Sequence, residues 1–487
     1  MTMPRFGTTG KPSINRASGE AAETLAPSPW RFALAVFLLF SLIYLCTWAG
    51  HYTTGDGSYK IAWAKAMFLG RSAVGAGQDA VISKYGIGHS LLAVPPLALA
   101  YIITKETGIH CEAALYTLMF VVNGALFLAL LAFYLAHFYP LRSVWLTVFI
   151  AGLATIWWPY TKMDLSEPLV LTIAFLGFLL MRFDHPFWGM AIAAFTLTIR
   201  EDSIAVVAPL LIWYLFSHRT VKAILRMGLA IAPSIALILA SNYVRYHSLF
   251  DRGYPGERFS TPLLVGMYGI LLSSGKSIFL FSPPLLLGVL GWRAFAARPH
   301  LRSDAWLFLG ICAAQVLLFS KWWGWSGEDD WGVRFLIPGV LVLCIPMIEM
   351  LNRRALVISV VAVGVAVQLT AVLVGPLSFV LLLRSQNFQR SALYVPGRNR
   401  IDFADMHFNP SYNQILGSWI LLRQLLHIPP SAGNPEDAAK TGTRLYDAIP
   451  PQAWASAAAW DFIWNLRRLK NPSGEPAATP ERSAEPH

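Results

Sequence analysis

A chain of 487 residues with 55% hydrophobic and 13% charged side chains, and a mean hydropathy of +0.51, is too apolar for a soluble globule of ordinary size. In a soluble protein the net charge of +11 would suit a nucleic-acid binder; here the basic residues fall in short loops between apolar runs, so no nucleic-acid partner is expected. The four cysteines, Cys46, Cys111, Cys312 and Cys344, show no metal-ligand spacing and are read as packing residues.

Residues 1–29 are polar and are expected to form a disordered cytoplasmic tail. Phe32 to Gly50 is free of charge, about twenty residues long and without a small-residue cleavage site, so it reads as a retained first span. Just beyond it stands Asp56, between Gly55 and Gly57 and near Tyr59. An isolated carboxylate at the mouth of an apolar protein suits a general base for an incoming hydroxyl; the plainer reading is a solvated loop residue. Lys84 and Tyr85 precede the apolar run Gly86 to Thr104, which is barely long enough to cross and carries His89 and the pair Pro95-Pro96.

If that run lies at the interface, Arg142, Arg182, Arg219, Lys222, Arg226, Arg293, Arg298, Arg302, Arg353 and Arg354 all face the cytoplasm. If it crosses, they face outward instead. The first arrangement obeys the positive-inside tendency and predicts an all-α polytopic bundle of about eleven spans, N-terminus inside and C-terminus outside, in a bacterial inner membrane. After the first, spans are predicted near 113–136, 143–160, 166–182, 186–199, 203–217, 226–243, 277–292, 304–320, 335–351 and 355–375. Phe187 to Phe216, read as one helix, would hold Arg200, Glu201 and Asp202 at its centre at roughly 8 to 10 kcal/mol. Two short spans joined by a charged turn below the outer surface cost less. Residues 30–375 thus form the membrane domain, with an outer loop 51–112. Residues 376–487 form an outer segment with amphipathic runs at Gln414 to Leu426 and Trp454 to Leu469.

Three further features fall on the outer side in this arrangement. Asp164 and Glu167, three apart at the start of a span, lie on one helical face, where they would bind a metal, orient an acceptor or cap the helix. Trp322, Trp323 and Trp325, with Glu328, Asp329, Asp330 and Trp331, read either as an interfacial belt or as a sugar-binding surface. Tyr59 and His89 join the sugar or acceptor candidates. The outer cations Lys84, Arg200, Arg245, Lys276 and Arg334 oppose the positive-inside tendency; either a lipid phosphate or salt bridges to Glu201, Asp202 and Asp330 explain them. A sugar leaving from a lipid phosphate needs no proton on the departing group, so one base and a few cations suffice.

At this point the chain resembles the GT-C superfamily of integral-membrane, polyprenyl-phosphate-sugar-dependent glycosyltransferases, which includes the protein O-mannosyltransferases and lipid A aminoarabinose transferases. The resemblance rests on Gly55-Asp56-Gly57 after the first span, Lys84-Tyr85-Gly86 before a juxtamembrane helix, and Met163-Asp164 opening a later span. Ser273 to Pro284 and Trp331 to Pro338 also look like recurrent segments of bacterial members. The resemblance implies Asp56 as base, Lys84 as a phosphate-binding lysine and Asp164 as a second active-site acid. The expected partners are a polyprenyl-phosphate-linked sugar, a lipid, glycan or protein acceptor, and membrane lipids. Either no cofactor or a divalent cation such as Mg or Mn, held by Asp56 and Asp164, is expected. The rival readings are a transporter or flippase of lipid-linked sugars, and a polysaccharide polymerase or ligase using a lipid diphosphate donor.

Overall fold

The computed structural model describes residues 28–70, 83–251, 253, 258–327, 330–385, 394–395, 400–401, 403–426 and 451–462. The predicted tail before residue 28 therefore lies outside the described residues, as do Glu328 and Asp329. The chain is a multi-pass, helical membrane protein. The one sheet among the described residues is a two-residue antiparallel pairing, with Tyr394 opposite Ile401 and Val395 opposite Arg400.

In chain order the helices are α1 (Pro29–Thr47), α2 (Gly55–Leu69), α3 (Ile87–Thr107), α4 (Glu112–Ala136), α5 (Leu141–Leu153), α6 (Trp157–Tyr160), α7 (Glu167–Arg182), α8 (Pro186–Ile199), α9 (Ile204–Ser217) and α10 (Val221–Tyr246). There follow α11 (Leu263–Leu272), α12 (Ile278–Phe281), α13 (Leu285–Ala297), α14 (Arg302–Lys321), α15 (Ile337–Cys344), α16 (Arg354–Val374), α17 (Ser378–Ser385), α18 (Phe403–Phe408), α19 (Gln414–Leu425) and α20 (Pro451–Ala457). Six of them, α1, α3, α4, α10, α14 and α16, are long and apolar enough to cross a membrane.

One of the six, α3, packs against α2 and the first turns of α4. α3 has 21 residues and so is about 31 Å long. Near its start His89 bonds Tyr116, one turn into α4, and its end joins α4 through residues 108–111 alone, a reach of at most about 18 Å. α3 runs alongside α2, with Ser90 Oγ donating to the Lys60 carbonyl at one end and Phe68 against Tyr101 at the other.

The charged turn between 187 and 216 is as expected: α8 ends at Ile199, Arg200 is extended, Glu201–Ser203 makes one tight turn, and α9 begins. Three predicted spans are broken. The run 143–160 stops at Leu153 and restarts as α6, 277–292 divides at Pro283-Pro284, and 335–351 becomes α15 with a 3₁₀ turn beyond it that carries Pro346. Prolines lack the N–H and crowd the preceding turn, so each restart or narrowing falls beside one. Helix α11 falls between the predicted spans 226–243 and 277–292, where no helix was expected.

The C-terminal runs also change. α19 matches its predicted bounds, burying Leu421 and Leu422 while Leu416 and Trp419 stay exposed. The second run does not continue: α20 ends at Ala457, and Trp454 is fully buried against Phe379 instead of anchoring at an interface. Trp464 to Leu469 lie outside the described residues.

Candidate active site

The site forms where α2 begins. Thr54 precedes the helix and its Oγ1 accepts the Gly57 N–H at 3.3 Å, which fixes the first turn and places Asp56 within it. Asp56 is therefore a helical residue. Its Oδ1 accepts the Tyr85 hydroxyl at 2.5 Å, and its Oδ2 lies 3.4 Å from Arg334 Nη1. Burial alone would raise its pKa; Arg334, Lys60, the Tyr85 bond and Lys84 outweigh that and lower it to about 2. Asp56 is thus ionised at neutral pH.

Glycine at 57 is needed for close approach. A Cβ there would stand 2.0 Å from Asp164 Oδ2 and 2.8 Å from its Cγ, so the carboxylate would have to shift. Asp164 is completely buried, and its Oδ1 accepts the hydroxyls of Thr53 at 2.6 Å and Thr54 at 2.8 Å. Its backbone N–H donates to Thr53 Oγ1 at 3.1 Å. Oδ2 is left without a hydrogen-bond partner. Burial raises the pKa of Asp164, opposed by the two threonine bonds and by Lys60.

Asp164 and Glu167 do not share a helical face as expected, because α7 starts only at Glu167. Glu167 Oε1 takes Arg200 Nη1 at 2.8 Å and lies 3.5 Å from Arg334 Nε, while its Oε2 is unpartnered. Arg334 Nε is 2.8 Å from Asp330 Oδ2, an ion pair not aligned as a hydrogen bond. Arg200 also grips Asp202 with Nε at 3.0 Å and with Nη2. Asp56, Arg334, Glu167, Arg200 and Asp202 thus form one continuous chain of charge.

Lys60 was not singled out from the sequence. One turn after Asp56 on α2, it is 1% exposed, its ammonium 5.0 Å from the centre of the Tyr85 ring and without a hydrogen-bond acceptor among the described residues. Lys84 Nζ lies 5.4 Å from the same ring. Desolvation lowers the pKa of Lys60, against the pull of Asp56, Glu167 and Asp164. The Asp-to-Lys spacing of four, which places both on one face of α2, was the available signal.

Several candidates take other roles. His89 is fully buried, with Nδ1 on Ser166 Oγ at 2.8 Å and Nε2 on Tyr116 at 2.9 Å, so both nitrogens are spent inside the protein. Lys276 is fully buried and donates to the carbonyls of Asp330 at 2.5 Å and Gly332 at 3.1 Å, holding the loop before Arg334 in place. Arg245 likewise binds the carbonyls of Ser83 and Tyr85, at 2.8 and 2.9 Å, and so fixes the Lys84-Tyr85 step. Trp325 packs on His407 and Phe408, and Trp322 on Phe319 and Phe335. Trp331 is fully buried, and only Trp323 of the four is exposed. Tyr59 is 45% exposed beside Tyr85. Among the described residues no three His, Cys, Asp or Glu side chains are grouped as metal ligands, and the oxygens of Asp56 and Asp164 are directed to different partners.

No protein-family model matches the chain, and no curated protein matches it. Among solved structures it is similar to the crystal structure of ArnT from Cupriavidus metallidurans in the apo state, at 14% identity and a TM-score of 0.43, over 88% of this chain and 76% of that one. It is also similar to the crystal structure of that protein bound to undecaprenyl phosphate, at 16% identity and a TM-score of 0.39, over 88% of this chain and 74% of that one.

Proposed function

We propose that the chain is a membrane glycosyltransferase that moves a sugar from a polyprenyl-phosphate donor to an acceptor hydroxyl at the extracytoplasmic face of a bacterial inner membrane, with inversion. The observation that carries this reading is the convergence of an ionised carboxylate, Asp56, with Lys60, Lys84 and Arg334 around Tyr85, from positions spread across the chain. The donor phosphate sits against Lys60 and Lys84, whose ammoniums flank Tyr85. Asp56 takes the proton of the acceptor hydroxyl as its oxygen attacks the anomeric carbon. The sugar–phosphate bond breaks, and the lipid phosphate leaves as an anion that needs no acid. Arg334 holds Asp56 in line, and Glu167 with Arg200 fixes Arg334. Asp164, raised in pKa and with one free oxygen, faces the same helix turn and orients the acceptor.

Protein in proteoliposomes, given polyprenyl-monophosphate and polyprenyl-diphosphate sugars with a labelled membrane-lipid extract, tests this. Transfer from the monophosphate donor with release of polyprenyl phosphate is expected. Transbilayer movement of the donor without transfer, or transfer only from the diphosphate, would overturn it.

A further inference from the structure

The carboxylate of Asp461 lies 410 positions from His51 in the chain and touches it: His51 Nε2–H donates to Asp461 Oδ1 at 2.9 Å. Its other oxygen, Oδ2, is 2.9 Å from Lys162 Nζ, an ammonium 1% exposed that also donates to the carbonyls of Val372, at 2.9 Å, and of Asp461 itself. The Asp461 N–H donates to the Leu373 carbonyl at 2.8 Å. Gly375, at φ 89°, gives the carboxylate its room, since a Cβ there would stand 3.1 Å from Asp461 Cγ.

The two partners are placed in parallel. Lys162 is two residues before Asp164, and His51 is two residues before Thr53, whose hydroxyl binds Asp164. One carboxylate therefore ties the loop that carries Asp164 to the loop that carries its hydrogen-bond donors. We propose that Asp461 is a positioning residue: through Lys162 and His51 it holds Asp164 in register with Asp56. Its effect on catalysis rests on the transferase reading; its effect on the two loops does not.

A buried ion pair with a purely structural role would also weaken the fold when broken, and replacing both charges by apolar groups of similar size is often harmless. The test therefore uses Asp461→Asn and the double variant Lys162→Met/Asp461→Leu, in nanodiscs, by hydrogen–deuterium exchange. In both, peptides covering 51–57 and 161–167 are expected to exchange at least tenfold faster, with peptides of Arg302–Lys321 unchanged. Wild-type protection of the two loops in the double variant, or an equal rise in α14, would overturn the proposal. In the transfer assay, kcat should fall at least tenfold with the donor KM within twofold, and Asp461→Glu should recover part of the loss. If the wild-type protein transfers no sugar, the functional reading falls while the exchange result still decides the role of Asp461.

Discussion

Helix α7 carries a charged residue at each end, and the two ends are built differently. At its last residue, Arg182 Nε meets Asp304 Oδ2 at 3.1 Å, where Tyr134 also donates at 2.8 Å and Ser303 completes the set on Oδ1 at 3.1 Å. Nearby, Glu349 takes the Tyr139 hydroxyl at 2.5 Å and both Nε and Nη2 of Arg298, at 2.5 and 3.1 Å. Both oxygens of Asp304 and of Glu349 are used. At the first residue, Glu167 Oε2 and Asp164 Oδ2 have no partner, and the Lys60 ammonium has an aromatic face but no acceptor among the described residues. Orphaned buried polar atoms are costly, so the unpartnered carboxylate oxygens of Asp164 and Glu167 set this end apart from the other, where both oxygens of Asp304 and of Glu349 are used.

The largest effect that would break this contrast is at Asp56. Asp56→Asn should reduce sugar transfer by about 10²- to 10⁴-fold, the range for a general base, while polyprenyl-phosphate binding in a pull-down persists. Retained transfer would remove Asp56 from its role. Gly57→Ala should displace Asp164 and cost on the order of 10²-fold in kcat, because an ångström of misplacement is of that size; an unchanged kcat would mean the loop yields freely.

A paired experiment sharpens the contrast directly. Lys60→Met removes a buried cation without an acceptor, so it should weaken polyprenyl-phosphate binding about tenfold or more with no loss of thermal stability. Arg182→Met strands Asp304 and should destabilise the fold by about 3 kcal/mol while leaving donor affinity intact. If both variants behave alike in melting and binding assays, the two ends are not different in kind.

The smallest effect concerns pH. The pKa of Asp56 falls from 3.8 to about 2 on folding, so its contribution is present above the unfolded value and is lost as pH drops through about 2. The stability gap between wild type and Asp56→Asn, followed by melting, should close in that window and stay flat from pH 5 to 7.

Much of the bundle was legible because apolar runs of sufficient length have few alternatives in a membrane, and the divided 186–217 region followed from the cost of burying Arg200 and its neighbours. Asp56, Lys84, Asp164, Glu167 and Arg334 were legible as a group because they share a side. Lys60 was overlooked although its spacing from Asp56 was visible. The roles of His89, Lys276 and Trp325 were not legible, since burial depends on which helix packs across from each. The Lys162–Asp461 pair, 299 positions apart, has no local signature at all.

An α3 that lies along the membrane surface contributes nothing to the parity of crossings. Reporter fusions at residues 70 and 110 should read the same compartment, and every later loop inherits its sidedness from that even count. A single opposite readout at 110 would exchange inside for outside along the whole remainder of the chain.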